Sequence, residues 1–399
     1  MIEPPMTTEK IYWSEPTRLE LSTTGAIAST FQGRASIVLP RTVFYPEGGG
    51  QLGDRGNLAI GGEDVPVIDT QIDDDGRIHH LVEREVTMDP SATITLRVEA
   101  VRRHDQTAHH TAQHMLSRAL LDIADAATVS ARLGTSSATI DVDVAALGDD
   151  ALAAAEDRVN EVIRADVTVR AFFPTAEELP KLDLRRAPKV TTGVRIVAID
   201  GFDLTPCGGT HCTRSGQIGT VRIQSIERYK GKLRVDFVAA HRAALDARHK
   251  DRVLQALAAT FSCGALDVPG AVEKLRADLK HRDEALVAAR GELAVLVAQH
   301  ELASHPPDPS GTTVVVVRRD AGDVGFLRTL ANRLTQRDDV VAICTARDGD
   351  ADLVVVQRGA RASFDCGSWL KAKATSSGGR GGGRPERAEG RLPPHVALP

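Results

Sequence analysis

The residues best suited to carry out chemistry are three histidines and a cysteine in two short clusters. His110 and His114 stand four residues apart in His-Thr-Ala-Gln-His, and Cys207 and His211 do so in Cys-Gly-Gly-Thr-His. Residues four apart share one face of a helix, so both imidazoles of the first pair can reach one ion. The double glycine of the second cluster predicts a tight turn that directs a thiolate and an imidazole inward together. Three nitrogen ligands and one sulfur ligand suit tetrahedral zinc, and we predict one Zn²⁺ per chain.

Neighbouring residues of the same types are less suited to hold the ion. His109 lies about 100° away from His110 around a helix, which places it on another face. Cys212 directly follows a predicted ligand, and we interpret it as a small packed residue. A zinc protease helix carries Glu after its first histidine as general base, whereas this chain has Thr111 there. Peptide hydrolysis by that route is therefore disfavoured.

A glycine-rich segment at residues 42–56 is the third unusual feature. Its three consecutive glycines allow the backbone to approach a ligand or another segment closely, and Gln51 and Asp54 offer a donor and an acceptor there. The segment lacks the Gly-Lys-Ser/Thr ending of a phosphate-binding loop, so nucleotide binding is not predicted. A hairpin turn between two strands is the simpler interpretation.

The first histidine pair requires a long helix to hold it, and the sequence predicts one. Residues 99–126 contain neither Gly nor Pro and repeat apolar residues at helical spacing. Residues 1–98 carry short β-branched runs bounded by Gly, Pro and Asp, which predict a small β-barrel-like subdomain or a twisted sheet. Predicted strands alternate with a helix at 147–165 in the rest of the segment that ends at 244. The predicted fold class is therefore α/β (α+β).

The segment 245–304 is predicted to be helical in two pieces, because Pro and Gly interrupt the pattern at 263–270. Its second piece repeats apolar residues every seven positions, and a second apolar row follows three residues later. Arg282 interrupts this second row. The repeated residues are Val272, Leu279, Leu286 and Leu293, followed three residues later by Leu275, Ala289 and Leu296. We predict a helical hairpin or short coiled coil, for which a spacer is the simpler role.

A Pro-rich linker at 305–311 leads to a small α/β domain at 312–399. Apolar runs predict buried strands at 314–317, 340–344 and 353–357, with a helix at 324–334 between the first two. A low-complexity glycine-rich tail closes the chain. We therefore divide the chain into a β-rich subdomain at 1–98, a zinc domain at 99–244, a helical spacer at 245–304 and this terminal domain.

Composition excludes several classes of protein. With 399 residues, 42% hydrophobic and 26% charged, the chain is neither disordered nor fibrous. No apolar run is long enough to cross a bilayer, and five cysteines are too few and odd for a secreted disulfide framework, so we expect a cytoplasmic protein without membrane contact. The net charge of −5 argues against nucleic-acid binding over the whole surface. Residues 371–391 nevertheless carry a net charge of +4.

Several motifs resemble those of alanyl-tRNA editing proteins, the AlaX family, which are free-standing relatives of the editing domain of alanyl-tRNA synthetase. The matching motifs, in the family's order, are Phe44-Tyr-Pro-Glu-Gly-Gly-Gly-Gln51, His110-Thr-Ala-Gln-His114, Leu133-Gly-Thr-Ser-Ser-Ala-Thr-Ile-Asp141, Cys207-Gly-Gly-Thr-His211 and Ser215-Gly-Gln-Ile-Gly219. Gly378-Gly-Arg-Gly-Gly-Gly383 is similar to the C-terminal DHH-associated domain of the long AlaX forms. The resemblance spans nearly the whole chain.

The resemblance implies a trans-editing hydrolase that cleaves the ester between serine or glycine and mischarged alanine tRNA. Zinc would be held by His110, His114, Cys207 and His211. A zinc-bound water, with Gln51 and Thr210 as possible helpers, would act catalytically. The residues that the resemblance implies for the amino-acid pocket are Ser130, Arg132 and Thr139. Those implied for RNA binding are Lys371, Lys373, Arg380 and Arg384, and a homodimer through the helical spacer or the C-terminal domain is a further possibility.

Two questions about the predicted zinc stay open at the level of sequence. Bound zinc can lower the pKa of a water to ~7, or it can anchor the substrate's amino group while other groups activate water. Four protein ligands can close the coordination shell, as in structural sites, whereas catalysis at zinc needs an open or expanded position. The alternative function is therefore a zinc-stabilised RNA-binding module without catalytic activity. Phosphoester hydrolysis of the DHH type is disfavoured, because the chain has no Asp-His-His tripeptide.

Overall fold

A computed structural model of the chain describes residues 7–188, 190, 192–308, 311–394 and 396–399. The chain forms two compact units, one ending at Val253 and the other running from Leu254 to Pro399. Both units combine helices with sheets, which confirms the predicted mixed α/β class. Residues 309 and 310 of the predicted linker lie outside the described residues.

The N-terminal part of the first unit is an antiparallel sheet. Its elements are β1 (Glu9–Lys10), α1 (Ile11–Ser14), β2 (Glu20–Thr23), β3 (Ile27–Phe31), β4 (Arg34–Val38), β5 (Arg41–Thr42), β6 (Gly56–Ile60), β7 (Glu63–Ile72), β8 (Ile78–Val82) and β9 (Ile94–Val98). Seven of these strands pair in the order β2-β9-β6-β7-β8-β4-β3. Val65 and Val67 alternate with exposed Asp64 and Pro66 along β7, as expected for a sheet with one covered face.

This sheet is open, which corrects the barrel-like form and agrees with the alternative of a sheet. Strands β2 and β3 stand at the two ends of the pairing order, and no bridge between them is found among the described residues. Alternation of apolar and polar residues indicates which face of a strand is buried, but it does not encode whether two edge strands meet.

The second part of this unit surrounds a long buried helix. Its elements are α2 (Ala100–Ala124), β10 (Thr128–Leu133), β11 (Ala138–Val142), α3 (Asp149–Arg164), β12 (Val169–Phe172), β13 (Ile196–Ile199), β14 (Asp203–Pro206), β15 (Val221–Tyr229) and β16 (Lys232–Ala239). The strands form an antiparallel sheet in the order β10-β11-β16-β15 and a second in the order β12-β13-β14. The helix predicted at 99–126 is confirmed as α2, and it ends where Asp125 adopts the left-handed conformation.

Two long helices follow, α4 (Ala240–Phe261) and α5 (Val268–Ser304). They are interrupted at the Gly- and Pro-containing stretch, as predicted. The expected boundary at 244 falls inside α4, which runs on because residues 240–261 contain no Gly or Pro. Ala294 and Ala298 of α5 are buried in the core of the second unit.

The rest of the second unit is a mixed sheet with a helix packed on each face. Its elements are β17 (Thr313–Arg319), α6 (Val324–Leu334), β18 (Val340–Asp348), β19 (Ala351–Arg358), α7 (Cys366–Ser377), β20 (Arg380–Arg384) and β21 (Arg387–Leu392). The strand order is β17-β18-β19-β21-β20, with β17 and β18 parallel. Ala342 and Cys344 of β18 pack with α6, whereas Val341 and Ile343 pack with α7, because successive side chains alternate between the faces.

The glycine-rich tail is part of this sheet, which corrects its interpretation as low-complexity sequence. Strands β20 and β21 pair antiparallel from Arg380–Arg391 to Arg384–Arg387. A side chain at Gly383 would overlap Ala388 of the paired strand, so glycine is required there for close backbone approach.

Candidate metal centre

The two ligand clusters predicted from the sequence meet inside the first unit. One ligand atom from each of His110, His114, Cys207 and His211 lies within 4.8 Å of the others. The Cys207 Sγ is 3.4 Å from His110 Nε2 and 3.3 Å from His211 Nε2. Tetrahedral zinc with bonds of about 2.0–2.3 Å separates its ligand atoms by roughly 3.3–3.7 Å. The two distances from the sulfur therefore fit zinc, and the four atoms together are close enough to surround one ion.

The protonation states of the ligands also fit a cation. Burial lowers the pKa of His110 to about 3 and holds the pKa values of His114 and His211 well below the usual range, so the imidazoles are neutral ligands at pH 7. Burial raises the pKa of the Cys207 thiol, while the Gly209 amide and Arg195 act in the opposite direction. A bound cation would favour the thiolate. This donor set of neutral imidazoles and one thiol is the kind that holds zinc.

Each histidine has a different polar group beside its second ring nitrogen. His110 Nδ1 donates to Gln51 Oε1 at 2.8 Å, and His211 Nδ1 lies 3.2 Å from Thr111 Oγ1. His114 Nδ1 is buried without a hydrogen bond, 3.6 Å from an Asp203 carboxylate oxygen. These groups favour protonation of Nδ1, which leaves each Nε2 free to bind a metal.

Gln51 and Thr210 lie behind the imidazoles, where both are fully buried. The Gln51 amide accepts from the Thr210 backbone N–H at 3.1 Å and donates to the Thr210 hydroxyl at 2.8 Å. Thr210 also hydrogen-bonds to Thr107 at 3.0 Å. This placement suits residues that position His110 and the ligand turn, rather than residues that touch a substrate.

The glycine-rich segment brings Gln51 to the centre. Gly50 has a φ of +88°, and a side chain there would collide with the Ala131 carbonyl of β10. The Asp54 carboxylate forms a buried ion pair with Arg103 of α2 and accepts from the Tyr45 N–H at 2.6 Å. The segment is thereby fixed to the helix that carries the histidines.

The turn that carries Cys207 is held by residues that the sequence analysis did not single out. Arg195 donates through Nη1 to the carbonyl oxygens of Cys207 and Gly209, both at 2.9 Å. Trp13 Nε1 donates to the Gly208 carbonyl at 2.8 Å. Neither residue lies in a recognisable motif, so their roles emerge only from the fold.

A cavity of about 600 Å³ opens onto the centre. His110, His114 and Cys207 line it, together with the half-buried Trp13. The cationic residues of the lining are Lys10, Arg185, Arg186 and Arg195. Among the described lining residues Glu47 is the only acid. The cavity therefore favours an anionic ligand.

Of the three residues expected in the amino-acid pocket, only one is among the described residues that line this cavity. Ser130 of β10 lines the cavity and donates to the Asp141 carboxylate at 2.6 Å. Arg132 and Thr139 face each other across the β10–β11 register and are not among the described lining residues. Ser130 is thus the pocket candidate that the geometry brings beside the metal ligands.

The neighbours set aside in the sequence analysis have other contacts. His109 places Nδ1 2.8 Å from the Asp105 carbonyl oxygen and accepts from the Ala239 N–H at 3.0 Å, which confirms that it faces away from the ligands. Cys212 is buried in the core of the first unit, which confirms that it is a packed residue.

The predicted RNA-binding residues all belong to the second unit. Lys371 and Lys373 lie on α7, and Arg380 and Arg384 lie on β20. No ion pair of these four is found within the described residues, whereas their neighbour Arg387 pairs with Glu389.

None of the helices in the described part of the chain has the length and apolarity needed to span a membrane. Three family models match segments of the chain, and two of them describe tRNA synthetases. Residues 20–102 match the class II (A) tRNA synthetases, 194–236 match the second additional domain of threonyl and alanyl tRNA synthetases, and 311–397 match the DHHA1 domain.

Curated relatives match over most of this chain. Alanine–tRNA ligase of Methanothrix thermoacetophila is 29% identical over 394 residues, covering 96% of this chain and 42% of the ligase. The ligase of Halorubrum lacusprofundi is 29% identical, covering 98% and 42%. The ligase of Halobacterium salinarum is 32% identical, covering 82% and 36%. The chain thus spans less than half the length of these relatives.

The sheets, the buried three-histidine, one-cysteine centre and these matches define a relative of class II tRNA synthetases. Within that class, the resemblance found in the sequence is confirmed. The chain is an AlaX-like relative of the alanyl-tRNA editing proteins.

Proposed function

We propose that this chain is a zinc-dependent aminoacyl-tRNA hydrolase that removes serine or glycine from mischarged alanine tRNA. The observation that carries the proposal is the convergence of four zinc-type ligand atoms within 4.8 Å at a cavity with a cationic lining. An aminoacyl ester at the end of an RNA strand combines a cleavable bond with neighbouring phosphates. Such a substrate matches both properties of the cavity.

The ester of an aminoacyl-tRNA is already activated toward water, so the demands on the protein are modest. When bound, zinc would supply Lewis-acid chemistry, either toward a water or toward the substrate's amino group. Gln51 and Thr111 orient two of the imidazoles, and Arg195 fixes the turn that carries Cys207. Ser130 offers a hydroxyl within the cavity to a polar substrate side chain.

Aromatic residues at the cavity suit the terminal base of the RNA. The Trp13 ring lies 5.8 Å from the exposed ring of Phe173, centroid to centroid. Trp13 also lines a second cleft of about 590 Å³, which Phe173 and Lys10 share. Bases stack on exposed aromatic rings, and cations beside them attract the phosphates. We assign this second cleft to the terminal nucleoside.

The test is release of amino acid from seryl-, glycyl- and alanyl-tRNA. The full chain should deacylate at least one mischarged species faster than alanyl-tRNA, and Cys207→Ala should abolish that release together with bound zinc. Cys263→Ala is the matched control, because Cys263 is outside the ligand cluster. Intact ester in every case, with RNA still bound, would instead favour a zinc-stabilised RNA-binding module, for which four protein ligands would form a closed site.

A further inference from the structure

Lys10 lies at the boundary between the cavity that opens onto the metal centre and the second cleft. Its side chain is part of both linings. Among the described residues, Trp13 is the other one that the two linings share. The Lys10 Nζ is 4.4 Å from the centroid of the Trp13 ring. A ligand that extends from one cavity into the other therefore passes beside this ammonium group.

The ammonium of Lys10 has no partner of its own, unlike the other cations of the metal-centre cavity. Arg185 is held in a buried ion pair, whereas Arg186 and Arg195 donate to backbone carbonyl oxygens. The adjacent acid, Glu9, is already paired with an arginine. In the part of the chain that the structure describes, no hydrogen bond or ion pair reaches the Lys10 ammonium. Lys10 is thus the cavity cation that is free to meet a ligand.

The surroundings of Lys10 favour an anion. The residue is half-buried, and burial lowers the pKa of its ammonium because water solvates the charge less well there. An anion within reach would supply the missing counter-charge and favour the charged form. The lysine stem is flexible and its ammonium is a compact point charge, which suits the binding of a phosphate.

We propose that Lys10 binds the phosphodiester on the 5′ side of the terminal nucleoside. This inference rests on the proposed function, in which the ester lies at the metal centre and the terminal base lies in the second cleft. The ribose joins the ester to the base, so it lies between the two cavities. Its 5′-phosphate is attached through a single carbon and therefore lies beside the same boundary, where the Lys10 ammonium is available.

The test removes the charge of this one phosphate. A methylphosphonate at the last linkage of alanine tRNA is neutral and keeps nearly the same shape. With serine attached to this RNA, the wild-type KM should rise roughly 10-fold with little change in kcat, because one charge-assisted contact is lost. Lys10→Met keeps the stem without the charge. It should show the same rise in KM with the natural RNA and no further rise with the methylphosphonate, whereas Lys10→Arg should keep most of the affinity.

Two controls separate this contact from general effects of charge. A methylphosphonate one linkage further from the terminus should raise KM by the same factor for the wild type and for Lys10→Met. Lys181→Ala removes an exposed lysine of the same unit that is in neither lining, and it should behave like the wild type. Additive effects of Lys10→Met and the terminal methylphosphonate would refute the contact. A lower kcat with unchanged KM would refute it as well.

The same comparison measured as Kd for deacylated tRNA is independent of hydrolysis. A wild-type chain that leaves the ester intact would contradict the proposed function. Non-additive losses of affinity from Lys10→Met and the terminal methylphosphonate would still support the phosphate contact in that case. Additive losses, or none, would overturn it whether or not the ester is cleaved.

Discussion

In each ligand histidine, Nδ1 points away from the cluster, and each Nδ1 lies beside a different kind of polar group. Gln51 presents an amide oxygen to His110, Thr111 presents a hydroxyl to His211, and Asp203 presents a carboxylate near His114. Asp203 is itself paired with Arg185, so its charge is shared. The three imidazoles are thus oriented by residues from a loop, a helix and a strand, of which only Asp203 lies outside the motifs named in the sequence.

Gln51 gives a direct test of this orientation. Gln51→Ala removes the acceptor of His110 Nδ1–H, so zinc affinity should fall by roughly 10–100-fold. Competition with a chromophoric chelator measures this without relying on activity. Gln113→Ala is the control. Gln113 lies on α2 with two of the ligands, but its side chain donates a hydrogen bond to Ser117 rather than to a ligand. Equal zinc affinity of the Gln51 variant and the wild type would contradict the positioning role.

His80 predicts a pH dependence of stability outside the metal centre. Burial lowers its pKa to about 4, and its ring is held by the Ile37 carbonyl and the Thr42 hydroxyl. Between pH ~6.5 and 4 the unfolded chain binds a proton there that the native chain does not, so native stability falls as the pH falls. Over this window the loss is about 3 kcal/mol.

Urea unfolding of the zinc-free protein near neutral pH and near pH 4.5 measures this effect. His80→Gln should be less stable than the wild type near pH 7, because the packed ring is lost, but should lose about 2–3 kcal/mol less on acidification. His104→Gln, at an exposed position, serves as the control and should follow the wild-type profile. Parallel pH profiles for the wild type and the His80 variant would refute the prediction.

At the scale of elements, the turn at 207–211 depends on one of its two glycines. A side chain at Gly209 would overlap the His110 ring, whereas a side chain at Gly208 would make an ordinary contact with Trp13 at 3.9 Å. We therefore expect Gly209→Ala to lose bound zinc and Gly208→Ala to keep it. Metal analysis of the two purified variants decides this. Full zinc content in Gly209→Ala would show that the turn has more freedom than the structure gives it.

The short helix α1 carries the proposed stacking residue, Trp13. If its ring binds the terminal base, Trp13→Ala should raise KM by roughly 10–100-fold with little change in kcat. Trp13→Phe keeps an aromatic face but loses the hydrogen bond to Gly208. Retention of most substrate affinity in Trp13→Phe would support stacking. Equal defects in both variants would show that Trp13 serves only to hold the turn.

At the scale of the whole molecule, local patterns predicted the elements better than they predicted their assembly. Helix α2, the break between α4 and α5, and the strands of the second unit follow from apolar periodicity and from Gly and Pro. The open sheet, the strand at 380–384 and the cationic cavity depend on contacts between distant segments. The four ligands were predictable because their chemistry is recognisable in short motifs, whereas Arg195 and Trp13 act through backbone carbonyls that any sequence would offer.

The distribution of charge over the chain gives the last prediction. A chain with net charge −5 concentrates four cations without ion pairs, within the described residues, on α7 and β20, where Arg380 and Arg384 share one face of the strand. Replacing Lys371, Lys373, Arg380 and Arg384 by Ala should weaken binding to alanine tRNA. The fall of log affinity with log salt should also become less steep, by up to ~3 in slope, since each lost phosphate contact removes about 0.7–0.9.

The matched control for this variant changes two neighbouring arginines that are already neutralised. Arg387 is paired with Glu389 and Arg391 with Asp348, so the variant Arg387→Ala/Arg391→Ala should keep the wild-type salt slope. Binding measured between about 50 and 200 mM salt separates the two variants. An unchanged slope in the fourfold variant would show that RNA contacts lie elsewhere.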